Sequence, residues 1–168
     1  MTHHRRRNNG IDPSKINETV ELSPAQRYAA FKQTQAKQRT VAAEFARSMP
    51  FELDEFQMQA NDALEAGDNV LVAAPTGAGK TVAADFAIYL AQTRNVKAFY
   101  TTPIKALSNQ KYHDLVDVYG PDKVGLLTGD TSINSEADIV VMTTEVLRNM
   151  LYERSTTLNA LRYVILDE

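Results

Sequence analysis

The segment at residues 74–81, APTGAGKT, is the part of this sequence best suited to chemistry. It follows a short apolar stretch and opens a segment with helical periodicity. At such a junction, a phosphate-binding loop is favoured over a chance glycine-rich turn that binds no ligand. Glycines let a loop close around phosphate oxygens, and the following helix N-terminus adds partial positive charge. We predict a nucleoside triphosphate site in which Lys80 contacts the β and γ phosphates and Thr81 ligates Mg²⁺. The predicted phosphate-binding residues are Thr76, Gly77, Ala78, Gly79, Lys80 and Thr81.

The last two residues, Asp167 and Glu168, supply the acids that such a site needs. They follow an apolar stretch at residues 163–166, and Asp167 lies 87 positions after Lys80. One acid in this place holds Mg²⁺, usually through a water molecule, and the next orients the attacking water. We therefore predict that Asp167 binds the metal and Glu168 acts on the water. The spacing favours this interpretation over two solvent-facing acids at a strand end.

Phe51 and Gln57 precede the loop and are candidates for binding the base. The planar amide of Gln57 matches the N6 and N7 edge of adenine, and Phe51 is placed to stack on the face of the base. We predict that the nucleotide is ATP. An alternative stays open, because Asp54 and Gln57 also have the spacing of a capping box that starts a helix.

Apolar stretches alternate with amphipathic segments from residue 51 onward. This alternation predicts an α/β fold with a parallel sheet covered by helices on both faces. The predicted helices lie after Asp54 and at residues 80–92, 105–119 and 145–152, and the predicted strands lie at residues 70–73, 98–100, 124–127, 139–142 and 163–166.

The first fifty residues have a different pattern. Residues 1–22 are polar and lack periodicity, and we expect a disordered basic tail there. Residues 23–50 are expected to hold an N-terminal helix over residues 24–47, begun by a capping box of Ser23 and Gln26.

Composition excludes several classes of protein. The 168 residues contain no cysteine, so a disulfide framework and a thiolate metal site are excluded. No apolar run is long enough to span a bilayer and no apolar signal segment follows the start, so we expect a cytoplasmic protein. Residues 51–168 hold nine Lys or Arg against seventeen Asp or Glu, a net charge of −8. Nucleic-acid binding there must therefore use local donors rather than a broad positive field.

Several blocks occur in a characteristic order: FELDEFQ at residues 51–57, the phosphate loop with Ala at its first position, TTPIKALSNQK at 101–111, LTGD at 127–130, MTTEVLRNML at 142–151, and the final acid pair. Together they resemble the first RecA-like lobe of superfamily 2 DExH-box helicases. The likeness is to the superkiller and exosome-associated group, in particular its HelY-type members. The string IKALSNQK is highly specific to this group, and the resemblance covers residues 51–168.

The resemblance implies an RNA helicase that couples ATP hydrolysis, with Mg²⁺, to 3′-to-5′ translocation and unwinding. Backbone amides and hydroxyls where a strand gives way to a helix suit phosphate without net positive charge. The alternative for any single threonine, a helix N-cap, stays open. The residues that the resemblance assigns to the nucleic-acid backbone are Thr102, Pro103, Lys105, Thr128, Gly129, Thr143 and Thr144.

The resemblance also implies that the histidine of the DExH box and a second lobe with arginine fingers lie beyond Glu168. We therefore expect the chain to be a fragment that carries half of an active site. Two other functions stay open. One is a DNA-directed helicase, because the 2′-hydroxyl rather than the phosphate distinguishes RNA from DNA. The other is an ATP-binding module without turnover.

Overall fold

The computed structural model describes residues 23–167, without the side chains of residues 33–38. The chain divides into two units, and the division falls between Gln38 and Arg39. The predictions for the tail at residues 1–22 and for Glu168 lie outside the described residues. Within the described part, no helix is both long and apolar enough to cross a membrane.

The first unit contains helix α1, Pro24–Gln38. Its predicted capping box is confirmed, because the Ser23 amide donates to Gln26 Oε1 at 2.9 Å and the Gln26 amide donates to Ser23 Oγ at 3.3 Å. Local sequence therefore sets the start of this helix.

The second unit is an α/β lobe with a five-stranded sheet. Its elements in chain order are α2 Val41–Ser48, α3 Glu55–Ala66, α4 Thr81–Thr93, β1 Lys97–Thr102, α5 Lys105–Tyr119, β2 Val124–Leu127, β3 Ser132–Ile133, β4 Ile139–Thr143, α6 Thr144–Tyr152 and β5 Leu161–Leu166, with a 3₁₀ turn at Thr156–Ala160 before β5.

Helix α2 corrects the prediction of one continuous helix over residues 24–47. Thr40 has an extended backbone, and its hydroxyl accepts a hydrogen bond from the third amide of α2, so a new helix starts there. The carboxylate of Glu65 accepts hydrogen bonds from the first two amides of α2 at 3.0 and 2.7 Å. An anion at a helix N-terminus is favourable. A residue more than twenty positions away thus stabilises this break, which local periodicity did not reveal.

The sheet has the strand order β3-β2-β4-β1-β5. Strands β2, β4, β1 and β5 are parallel, which confirms the predicted α/β fold. The short strand β3 pairs with β2 in the antiparallel direction and was not predicted. Two residues are too few to show a period, so composition could not have identified β3.

Helices cover both faces of the sheet. Ile88 of α4 and Leu115 of α5 pack against Tyr100 on one face. Leu147 of α6 packs against Phe99 on the other face. Adjacent strand residues point to opposite faces, so Phe99 and Tyr100 of β1 each belong to a different core. Helices α2 and α3 pack against α4 and extend the first of these layers.

The strand predicted at residues 70–73 is wrong, because these residues have no regular secondary structure. Residues 70–72 and β5 line one cavity of about 510 Å³, and Leu71 is 93% exposed. Paired strands lie about 4.8 Å apart, and residues 70–73 form no such pair with β5. No other strand in the described part of the chain pairs with them. The apolar composition of residues 70–73 predicted a strand, but no neighbouring strand of the described sheet pairs with them.

Candidate nucleotide and nucleic-acid site

The four parallel strands end at one edge of the sheet. Thr102 and Thr143 are register partners at the ends of β1 and β4. The Asp167 amide donates to the Thr101 carbonyl at 3.0 Å, which places Asp167 beside the end of β1. Following the strand order, this edge presents Thr128, Thr143, Thr102 and Asp167. The carboxyl edge of a parallel sheet is where α/β proteins bind ligands.

The phosphate loop lies directly before α4, which begins at Thr81. Gly77 and Gly79 have φ values of 84° and 78°, a region that favours glycine. The Lys80 ammonium donates to the Ala74 carbonyl at 2.8 Å. The loop therefore has the backbone turn that the sequence predicted, and a bound phosphate would compete with this carbonyl for Lys80. Contacts of the other loop residues with phosphate stay predictions.

Lys80, Thr81 and Asp167 line the same cavity. The hydroxyl of Thr81 and the carboxylate of Asp167 are oxygen ligands, the type that Mg²⁺ prefers. Between residues 23 and 167 there is no cluster of three or more His, Asp or Glu that would form an all-protein metal cage. The donors fit a Mg²⁺ that arrives with phosphates and keeps several waters, since that ion needs only one or two protein ligands.

The amide of Gln57 has two partners within the protein. Its Oε1 accepts from the Asp54 amide at 2.8 Å, and its Nε2 donates to the Gly79 carbonyl at 3.0 Å. The residue is only 4% exposed. The capping box is therefore present, and Gln57 also contacts the phosphate loop. Binding of adenine by Gln57 stays a prediction, as does stacking by Phe51, whose side chain is exposed.

Asp167 has a buried partner that the sequence did not reveal. The Tyr100 hydroxyl donates a hydrogen bond to Asp167 Oδ2. Burial, and next the hydrogen bond to Asp167, raise the pKa of Tyr100 above its ordinary value, so the hydroxyl remains a proton donor. The two residues are 67 positions apart, and no local motif links them.

Two of the predicted nucleic-acid hydroxyls are used inside the lobe. Thr102 is 2% exposed, and its Oγ1 donates to the Ile104 carbonyl at 3.0 Å and lies 2.7 Å from Ser108 Oγ. The Thr144 hydroxyl donates to the Thr102 carbonyl at 3.3 Å, which joins the junctions after β1 and β4. Thr143 is the N-cap residue of α6 and makes no side-chain capping bond. Contacts of these threonines with a nucleic acid stay predictions.

Lys105 meets the block at residues 128–130. Its Nζ lies 2.9 Å from Asp130 Oδ1, and the Thr128 hydroxyl donates to the same oxygen at 2.9 Å. Gly129 lies beside the end of the Lys105 side chain. The hydrogen bond from Lys105, and next the one from Thr128, lower the pKa of Asp130. The fold thus joins two blocks that the sequence singled out separately, with Asp130 as an acid that the prediction omitted.

The turn between β1 and α5 presents apolar groups to solvent. Pro103 is exposed, and Ile104 and Leu107 are exposed beside Lys105. The predicted contact residue Pro103 therefore lies on an accessible part of the sheet edge. Ile104 and Leu107 belong to the same accessible surface, although no role was predicted for them.

Comparison with known proteins identifies the family. The model described as "DEAD/DEAH box helicase" matches residues 54–168. The probable helicase HelY of Mycobacterium tuberculosis is 60% identical over 124 residues, covering 74% of this chain and 14% of that protein. The antiviral helicase SKI2 of Saccharomyces cerevisiae is 51% identical over 123 residues, covering 73% and 10%. Superkiller complex protein 2 of Homo sapiens is 53% identical over 118 residues, covering 70% and 9%. The chain thus spans only 9–14% of the length of these relatives.

A solved structure supports the architecture. The crystal structure of a hypothetical ATP-dependent RNA helicase from Sulfolobus tokodaii matches with a TM-score of 0.56 and 29% identity. The match covers 76% of this chain and 40% of that one. Its similarity, with the parallel sheet and the helices on both faces, confirms the predicted RecA-like fold. The chain belongs to the DEAD/DEAH box helicase family and contains a RecA-like lobe of the superkiller and HelY type.

Proposed function

We propose that this chain is the ATP-binding first lobe of an ATP-dependent RNA helicase that moves 3′ to 5′ along its strand. The observation that carries the proposal is the shared cavity lined by Lys80, Thr81 and Asp167 at the carboxyl edge of the sheet. The same edge carries Lys105 and Thr128, which contact a common acid. ATP and nucleic acid would therefore bind to neighbouring strand ends of one rigid sheet.

Each residue of the cavity has a role that follows from its chemistry. Lys80 binds the β and γ phosphates through charge-assisted hydrogen bonds, which are stronger than neutral ones. Thr81 and Asp167 hold Mg²⁺, which when bound neutralises charge on the phosphate oxygens. Glu168, by its position after Asp167, orients and polarises the water that attacks the γ phosphate.

Substitution of Lys80 tests the nucleotide site. In the protein with its natural flanking sequence, Lys80→Ala should weaken ATP binding about ten- to a hundredfold, because a hydrogen bond to a charged group is lost. Lys123→Ala is the matched control, since this exposed lysine pairs with Asp138 and does not line the cavity. ATP affinity and hydrolysis are measured for both variants. Unchanged values for Lys80→Ala would contradict the assignment of the phosphate loop.

RNA as the strand is supported by the similar Sulfolobus tokodaii protein, which is described as a hypothetical ATP-dependent RNA helicase. A DNA-directed enzyme is the second candidate, because the candidate contacts are hydroxyls, amides and a lysine, which suit the phosphates of either strand. Stimulation of ATP hydrolysis by matched single-stranded RNA and DNA separates these two candidates. In a polypeptide that includes a second lobe, binding of ATP without hydrolysis on either strand would instead favour the ATP-binding module.

A further inference from the structure

Tyr100 is buried in the middle of the lobe, yet its polar end reaches the candidate metal ligand. The side chain is 1% exposed, and its ring packs in the core beneath α4 and α5. Its hydroxyl donates to Oδ2 of Asp167. One oxygen of the carboxylate is therefore held by a neutral donor, and no hydrogen bond to Oδ1 is found among residues 23–167. Because the Tyr100 hydroxyl is uncharged, it does not offset the negative charge of Asp167, as a positively charged side chain in its place would.

The ring of Tyr100 is itself held in place by an ion pair. The Lys111 ammonium lies 4.9 Å from the centroid of the Tyr100 ring, within the range of a cation–π contact. The same ammonium lies 2.8 Å from Asp85 Oδ1, and the Lys111 side chain is only 14% exposed. Asp85 is on α4, four residues after Thr81, so the two residues share one face of that helix. The contacts form a chain from Asp167 through Tyr100 and Lys111 to the helix that begins with Thr81.

We infer that Tyr100 is a positioning residue that orients Asp167 toward the Mg²⁺ of the bound nucleotide, and that Lys111 and Asp85 tie this carboxylate to the helix carrying Thr81. The inference rests on the proposed nucleotide site. A carboxylate that ligates a metal must be held against rotation, and removal of such an outer partner typically lowers metal affinity or activity about 10–100-fold. The two protein ligands of the metal, Thr81 and Asp167, would thus be aligned by one set of side chains.

The test is Tyr100→Phe, which removes the hydroxyl and retains the ring. In the protein with its natural flanking sequence, the Mg²⁺ concentration for half-maximal ATP hydrolysis should rise about tenfold. Binding of a fluorescent ATP analogue in EDTA should be unchanged, because the Lys80 ammonium bonds to Ala74 in the loop whereas the Tyr100 hydroxyl bonds to Asp167. Lys111→Met retains the Tyr100 hydroxyl and should raise the Mg²⁺ requirement by a smaller factor, since only the support of the ring is lost.

Tyr119→Phe is the matched control, because Tyr119 packs against the same core cluster and its hydroxyl has no contact with Asp167 among the described residues. Its Mg²⁺ requirement should equal that of the wild type. A wild-type Mg²⁺ curve for Tyr100→Phe overturns the inference, and so does an equal shift in Tyr119→Phe, which would indicate general softening of the core. A wild-type protein that binds ATP without any dependence on Mg²⁺ would instead contradict the proposed nucleotide site.

Discussion

Gln57 Nε2 donates a hydrogen bond to the Gly79 carbonyl at 3.0 Å, and this contact joins the first turn of α3 to the phosphate loop. The same amide accepts from Asp54 through Oε1. One side chain therefore starts a helix and touches the loop that the proposal assigns to ATP. A change of loop conformation on nucleotide binding would therefore disturb the hydrogen bonds at the start of α3.

Replacement of Gln57 separates its structural role from recognition of the base. Gln57→Ala should lower the free energy of unfolding by about 1–2 kcal/mol, because the capping partner and the loop contact are both lost. Gln59→Ala is the control, since Gln59 is exposed and its side chain bonds to Glu55 of its own helix and to no other side chain between residues 23 and 167. Chemical denaturation measures both. The adenine hypothesis further predicts a smaller ratio of ATP to GTP affinity in Gln57→Ala, and an unchanged ratio would leave Gln57 with its capping and loop contacts alone.

A methyl group at Gly79 should damage the loop in two ways. An added Cβ would lie 2.5 Å from Gln57 Nε2, and the φ of +78° strains any side chain. Gly77→Ala has the strain without the clash, since φ is +84° with no atom within 4 Å. The backbone strain costs about 1–2 kcal/mol in each variant, so Gly79→Ala should be the less stable. Adding Gln57→Ala should remove the clash, so the two variants should then differ less in their free energy of unfolding. A difference in unfolding free energy that persists in that background would show that Gln57 does not cause the clash.

Asp130 should restrain nucleic-acid binding at Lys105. Lys105→Ala should weaken single-stranded RNA binding about equally across sequences and reduce the salt slope by about one unit, because one phosphate contact is lost. Asp130→Asn should tighten binding several-fold, since it removes the acid that competes for the Lys105 ammonium. Affinities over a salt series, with several RNA sequences and a DNA control, check both. If Lys105→Ala keeps the wild-type affinity and salt slope, the Lys105 side chain does not contact the nucleic-acid strand.

The lobe by itself should be a poor enzyme. Residues 1–168 should bind Mg-ATP weakly and hydrolyse it negligibly, because the family resemblance places the arginine fingers in a second lobe. Such an arginine contributes about 10³–10⁵ to the rate in GTPases. The assay is steady-state ATP hydrolysis with and without RNA, run beside a polypeptide that includes a second lobe. RNA-stimulated hydrolysis by residues 1–168 alone would contradict this expectation.

Features that depend on neighbouring residues were predictable from the sequence. The capping box of Ser23 and Gln26 is present, and so is that of Asp54 and Gln57, because each requires side chains only three positions apart. The glycine-rich loop lies before α4 as predicted, and four of the five predicted strands are present with the helices between them. Helix and strand periods are written within single segments, so they can be recognised without knowledge of the fold.

Only the tertiary structure decided how distant segments meet. Glu65 caps α2 from 24 positions away, residues 70–73 have no neighbouring strand, and Tyr100 holds Asp167 across 67 positions. Each outcome depends on the order of strands in the sheet and on the helix packing beside it. Apolar composition predicts that a segment will be buried or extended, but it does not predict which strand or helix will pack against it. That choice is made when the strand order brings the carboxyl ends of β1 and β5 together, since only then does a core tyrosine reach the acid of the proposed nucleotide site.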